Sequence, residues 1–469
     1  MLFFVDLPTG KAALEISSRT FKLLKSTLEF SVLSTVFATI LAIVPGLFLC
    51  DRKYAGLRLP LAFLVFLPPY IHAQGFANLV AAPPRGLEFL RQADGIYWSA
   101  LVCGLAFAPI CSMVISTASF LVPAAQVESA RINLDRWQFF RFTVFPAVLP
   151  LAIAGACITF IFSIMEGGLP LSMQTTVFAT EIISQFLAGG SFTGIFISIW
   201  PMFALISIAF LFLVPTLKKL AGNIGANRRC SLVQAANLPP AVSFIGHALL
   251  MSALSVMFLP CLALVRQAFS EGNGIFSKAD IDTILPSIGL SFFCALFCTL
   301  ICRNISKDAG QSRIFTALLL ISAVIPASLT GVAWAWAGTW VPALPQVLIL
   351  GLSHIARALP LTMIVSIMAW KSFSGWRQLE SANLLPQSTF LKLRIEAPVI
   401  FISFCVATVI SLRELEATLL TVPAGYQTLP LRVFNLIHYG AGADVARLSL
   451  ALALIMALAA TALVRRWPK

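Results

Sequence analysis

Long apolar stretches alternate with short polar ones along almost the whole chain. Inside those stretches the hydrophobic residues run on continuously instead of alternating from face to face, which favours helices over strands. A helix needs about 20 apolar residues to cross the hydrocarbon core, and unpaired backbone groups in lipid leave helices or closed barrels as the spanning structures. Such stretches are predicted near 27–50, 60–81, 97–122, 147–165 and 195–216. Six more follow near 241–265, 284–302, 314–338, 346–370, 398–420 and 446–464. The expected fold class is all-α, a polytopic membrane helix bundle of about 11 transmembrane helices, five before a polar linker at 218–240 and six after it. Residues 1–26 form an N-terminal arm, whose part from 11 to 26 reads as an amphipathic or interfacial helix. The two membrane units are then 27–217 and 241–469.

The polar stretches also carry a pattern, because one of them occurs twice. Glu128 to Pro150 reads ESARINLDRWQFFRFTVFPAVLP, and Glu380 to Pro398 reads ESANLLPQSTFLKLRIEAP. Each opens Glu-Ser-Ala (Glu128, Ser129, Ala130; Glu380, Ser381, Ala382), passes through basic and aromatic or aliphatic residues, and reaches a proline 18 positions on, Pro146 or Pro398. A polar segment repeated between apolar runs points to a role outside the bilayer.

Composition agrees with a membrane chain: 59% hydrophobic and 11% charged residues, against about 25% charged in soluble domains. The net charge of +13 is spread over short loops, so it reads as an orientation signal and not as a nucleic-acid surface. With the C-terminal RRWPK tail in the cytoplasm, the loops at 51–59, 123–146, 217–240, 303–313 and 371–397 share its side and hold, with the tail, 20 of the 32 Lys and Arg. Both repeated segments are then cytoplasmic, with an even number of spans between them. That argues for parallel repeats and against inverted-topology carriers.

Candidate chemistry is sparse. Cys294, Cys298 and Cys302 share one helix face, but no His or carboxylate joins them at ligand spacing, so no metal site is predicted. No phosphate-binding loop is present, since Gly10-Lys11 lacks both the earlier Gly and the following Ser or Thr. Polar groups inside spans are costly and often functional. They single out His354 and Arg357, three apart on one helix, and His72 beside Pro68 and Pro69. Glu166 and Glu414 stand at matching ends of the helices that follow the two loops. These five are the candidate lining of a translocation path, with interfacial capping as the plain alternative.

The repeated segment resembles the cytoplasmic "EAA" loop of ABC importer permeases. The duplicated form is similar to the fused permeases of ferric iron, thiamine and related uptake systems, in which one chain supplies both halves of the channel. Ser163-Ile-Met-Glu166-Gly-Gly-Leu-Pro170, Ser411-Leu-Arg-Glu414-Leu-Glu, Phe178-Ala-Thr-Glu-Ile, Tyr426-Gln-Thr-Leu-Pro430 and Leu67-Pro-Pro-Tyr-Ile-His72 extend the likeness over roughly 27–465. Two departures stand out: the glycine of the family loop is Leu134 in one copy and Pro386 in the other, and the first half lacks the family's first helix.

The resemblance implies two parallel permease halves with pseudo-twofold symmetry and ATPase-coupling loops built on the two Glu-Ser-Ala segments. Arg131, Arg136, Arg141, Lys392 and Arg394 would give charge support, and Trp137, Phe139, Phe140, Phe390, Leu391 and Leu393 an apolar face. It implies no cofactor on this chain, with ATP and Mg on two copies of a cytoplasmic ABC ATPase. Further partners are a periplasmic solute-binding protein and the lipid bilayer of a bacterial inner membrane. The chain would be no enzyme itself, and ferric iron is the first expected cargo, then thiamine or a polyamine- or phosphonate-like solute. An ion-coupled secondary transporter with parallel repeats is the alternative.

Overall fold

The computed structural model describes residues 18–83, 85–86, 88–92, 94–223, 240–270, 278–309, 313–372, 389–438 and 442–466. Among them the regular structure is all helix, without strands. Seven helices are long and apolar enough to cross a membrane, and up to ten if each of three sharply bent helix pairs is one span. The protein is thus an all-α, multi-pass membrane bundle.

Burial follows the membrane pattern. Large apolar side chains such as Leu211, Phe212, Leu285 and Leu454 are exposed on helix surfaces, while Thr27, Ser31, Ser34, Ser112, Thr362 and Ser366 are buried. Many buried hydroxyls satisfy themselves on the carbonyl one turn back, as Ser34 does on Phe30 (2.7 Å) and Thr362 on Ala358 (2.8 Å). Small residues let the helix backbones approach. A Cβ on Gly104 would stand 2.8 Å from both Phe37 Cβ and the Ser34 carbonyl oxygen.

Two compact units divide the chain at Gln267/Ala268. The first begins with α1 (Ser18–Leu49), so residues 18–26, expected in a separate arm, continue the first long helix; residues 1–17 lie outside the description. Then come α2 (Arg58–Phe66) and α3 (Pro69–Ala81), expected as one span at 60–81 but bent by 91°. Pro68 and Pro69 cause the break: a residue before proline is pushed out of the α region, and Leu67 and Pro68 are extended, with ψ 127° and 140°. After them run α4 (Gly95–Ser116), α5 (Ala124–Asn133), α6 (Arg136–Phe139), α7 (Phe145–Met165), α8 (Gly168–Ser172), α9 (Phe178–Leu187), and the pair α10 (Phe192–Ser198) and α11 (Trp200–Asn223), bent by 50°.

Helix α12 (Pro240–Ala268) closes this unit. The sequence puts it at the head of the second membrane unit, yet it packs along α2 and α3. Tyr54 Oη lies 2.8 Å from His247 Nε2, Phe63 stacks on Phe258, and a Cβ on Gly75 would stand 2.3 Å from the Pro260 carbonyl oxygen. The division expected at the linker 218–240 and the division by compactness therefore fall at different places. Of the linker 218–240, residues 224–239 lie outside the description.

The second unit holds α13 (Lys278–Ala309), the pair α14 (Arg313–Ala323) and α15 (Ala327–Trp340) bent by 92° at Pro326, α16 (Gln346–Ser372), α17 (Thr389–Leu412), α18 (Glu416–Thr421), α19 (Leu429–His438) and α20 (Gly442–Arg466). The span expected at 398–420 stops at Leu412, and its last part becomes α18. With α5, α6 and α12 set aside, the first unit runs in the same order as the second: a long helix, a proline-broken pair, two further long helices, a short helix, an amphipathic helix and an apolar helix.

Candidate functional site: an exposed loop and two polar helix junctions

The first Glu-Ser-Ala segment is a helix, a two-residue break at Leu134 and Asp135, and a second helix. Leu134, which stands where the family loop has glycine, is extended at φ −113°, ψ 144°. The turn uses negative φ, open to any L-residue, and needs no glycine. Asp135 then starts α6 with a capping box: its Oδ1 accepts from the Gln138 N–H at 2.7 Å, while Gln138 Oε1 faces the Asp135 N–H at 3.4 Å.

Pro146 lies beyond a π-turn over Phe140–Val144. A proline donates no hydrogen bond to the carbonyl four residues back. The helix widens ahead of it, and the Phe145 N–H reaches the Phe140 carbonyl.

Glu128, Ser129 and Arg136 are exposed, as are Arg131 and Arg141. Glu128 stands in the second turn of α5, not at its start; α5 begins at Ala124 behind Pro123 and has no acidic residue in its first turn. The macrodipole fades after the first turn, so the helix start does not explain this glutamate. The expected apolar face also changes. Phe139 is buried, in one cluster with Val127, Cys50, Ile115 and Leu151, and Ala130, Leu134 and Phe140 pack against that cluster. Trp137 (69% exposed) and Ile132 (83%) point outward instead. Ile132 precedes the break and stands alone among polar neighbours, so no apolar pattern in the sequence marks it.

In the second copy Glu380, Ser381, Ala382 and Pro386 lie outside the described residues. So do the side chains of Phe390, Leu391, Lys392, Leu393 and Arg394. Pro398 is half-buried within α17. Near it Glu396 is fully buried and paired with Arg303 of α13 at 2.7 Å.

The junction at the far end of α17 gathers three of the predicted polar residues. Glu414 Oε1 accepts from the Ala417 N–H at 3.0 Å and so caps α18. Its other oxygen lies 3.7 Å from Arg357 Nε. Arg357 Nη1 donates to the Ile325 carbonyl at 2.8 Å, directly before Pro326, which carries no N–H of its own. The arginine therefore ties the 92° bend to the glutamate. His354 is buried between Ser411 Oγ (2.9 Å from Nδ1) and Thr418 Oγ1 (2.8 Å from Nε2). Glu416, not singled out from sequence, accepts from the Ser328 N–H at 3.1 Å and fixes the start of α15. The signal for it was the acid two places after Glu414 in an apolar stretch.

The corresponding junction of the first unit is built on Glu166. Its Oε1 accepts from the Leu169 N–H at 3.1 Å, three residues on, as Glu414 does. Where His354 meets Ser411, Cys103 meets Ser163, at 3.7 Å. His72 is fully buried on α3, whose residues Tyr70, Ile71 and Ala73 are buried too.

Among the described residues no group of three or more His, Cys, Asp and Glu is placed to hold a metal ion. Cys294 and Cys298 face α16, with their thiols 3.5 and 3.9 Å from the Gly351 and Ile355 carbonyls, and Cys302 joins the apolar cluster of Leu319 and Met363. They act as small packing residues. Compared with protein-family models and with curated proteins, the chain gives no match.

Proposed function

We propose that the chain is the membrane permease of a binding-protein-dependent ATP-driven importer, with two parallel-repeat halves about a pseudo-twofold axis. The observation that carries this reading is the form of the first Glu-Ser-Ala segment. It offers Glu128, Ile132 and Trp137 outward while Val127 and Phe139 root it in the helix core. A force applied to the exposed rim reaches the membrane helices through packed side chains and not through a slack loop.

Support for two equivalent halves comes from the matching element series, the 91° and 92° bends at prolines, and the caps made by Glu166 and Glu414. We take each bent pair as one crossing, and the shorter apolar helix Glu396–Leu412 as the eleventh. Two ATPase subunits, carrying ATP and Mg, grip the segments at Glu128 and Glu380; hydrolysis belongs to them. A periplasmic binding protein delivers the solute at a bacterial inner membrane. Ferric iron stands first, ahead of thiamine and polyamine- or phosphonate-like solutes. Glu166, Glu414, His354, Arg357 and His72 border the path.

The test is a Glu128→Ala/Glu380→Ala double variant in the reconstituted complex. It should insert normally yet lose at least about tenfold in solute-stimulated ATPase and in uptake, a loss of about 1.4 kcal/mol in coupling. Full activity in that variant would sink the assignment. The buried His354–Arg357–Glu414 group favours one other reading, an ion-coupled carrier, since buried ionisable chains serve proton relays. Uptake driven by an ion gradient with no ATPase present would select it.

A further inference from the structure

One cleft, of about 390 Å³, opens between the start of α1 and the turn after α8. Lys22, Lys25, Glu29, Gln174, Thr175 and Thr176 line it. The same place in the second unit can be identified from two backbone anchors. Thr27 Oγ1 accepts from the Phe178 N–H, the first residue of α9, and Ser287 Oγ accepts from the Leu429 N–H, the first residue of α19. Counting from these anchors, Gln174 corresponds to Gly425, Thr175 to Tyr426, Ser26 to Pro286, and Lys22 and Lys25 to Asp282 and Leu285.

Three differences follow from that register. In the second unit the Tyr426 hydroxyl donates to the Pro286 carbonyl at 3.2 Å and its ring packs beside Leu290, Cys294 and Leu350. In the first unit the position is Thr175, whose hydroxyl turns to Ser99 at 2.6 Å, and the missing ring leaves space. Secondly, both turns need positive φ, 80° at Gly425 and 54° at Gln174. Gln174 is the one non-glycine residue with positive φ among those described. Such strain persists where the side chain serves a purpose, and this side chain lines the cleft. Thirdly, two ammonium groups stand on one helix face at i and i+3, and among the described residues neither has an ion-pair partner. Glu29 is the one acid in the lining, four residues after Lys25 on the same helix.

We propose that this cleft binds a phosphate-type oxyanion, carried by a lipid headgroup or by a small solute. Lysine suits a compact anion as a point charge, and Thr176 and Gln174 supply neutral donors at the rim. The site is particular to the first unit, because the second fills the space with Tyr426 and places Asp282 where Lys22 stands. It does not depend on the transport reading above.

The experiment uses the full chain, delipidated in detergent. Inorganic phosphate is titrated by calorimetry, and retention of phosphatidylglycerol is followed by native mass spectrometry after exchange from vesicles of phosphatidylcholine with phosphatidylglycerol. Lys22→Gln/Lys25→Gln, both at exposed positions, should weaken whichever ligand binds by at least tenfold. Lys53→Gln, outside the cleft, should not. Thr175→Tyr, which copies the second unit, should abolish binding; thermal unfolding checks that it still folds. Phosphate binding without lipid retention identifies a solute site, and lipid retention identifies a headgroup site. Binding of neither ligand, or binding indifferent to the lysine pair, overturns the proposal.

Discussion

The two units share several local features and differ in what surrounds them. At the ends of α7 and α17 the same carboxylate cap recurs at Glu166 and Glu414, yet Cys103 in one unit stands where His354 does in the other. Where the loop meets the core, the first unit buries Val144 and Phe139, while the second buries Glu396 against Arg303. The amphipathic helices α9 and α19 each tie their fourth residue to the first long helix of their unit, but with signs reversed: Arg19 with Glu181 at 2.7 Å, Asp280 with Arg432 at 3.9 Å. Prolines, caps and small residues thus hold the architecture, and interior charge is free to concentrate in one half.

The largest expected effect tests the apolar root of the first loop. Phe139→Ala should lower stability by about 3–5 kcal/mol through the lost ring and its cavity, read as thermal unfolding in detergent. Its second-unit counterpart comes next: Arg303→Ala strands the fully buried Glu396 and should cost about 3 kcal/mol, whereas Arg303→Leu/Glu396→Leu should recover most of it. If the single and the double variant unfold alike, the ion pair is not what holds that junction.

Arg357→Ala removes a charged donor from the Ile325 carbonyl and the partner of Glu414, for about 1.5–3 kcal/mol. Cys103→Ala, at the equivalent polar contact of the first unit, should stay within about 1 kcal/mol in the same melt. An equal loss at both would erase the contrast. Smaller still, Gln174→Gly should raise stability by about 0.5–1 kcal/mol, since the left-handed strain of about 1–2 kcal/mol is partly offset by the freedom glycine adds to the unfolded chain. Trp137→Ala should move the melting temperature least, with a change inside about 0.5 kcal/mol, while weakening capture of the proposed ATPase partner in a pull-down.

Helix class and most span positions were legible in the sequence, because continuous apolar runs of sufficient length leave few alternatives in lipid. Bends were only half legible. Pro68-Pro69 and Pro326 are visible, but a proline inside an apolar run also occurs at Pro109 and Pro260, where the helix continues. At the break beside Pro326 the Ile325 carbonyl is held by Arg357, distant in sequence. His354, Arg357 and Glu414 were each visible as polar residues out of place. Their meeting was not, since it is made by α16 and α17 packing together. The burial of Phe139 was hidden too: the aromatic run at 137–142 has no single period, so the π-turn decides which rings face in.

The bend at Pro326 has one more consequence. Its arms, α14 and α15, have 11 and 14 residues, each short of the roughly 20 a crossing needs, so they traverse the bilayer together or turn back together. If they traverse it, the count of crossings between the two Glu-Ser-Ala segments is even and both face one compartment. If they turn back, the count is odd and Glu380 faces the opposite compartment from Glu128. The sidedness of a whole half of the molecule is thus settled at a single proline, and a cysteine label placed at Ala343 reads it directly.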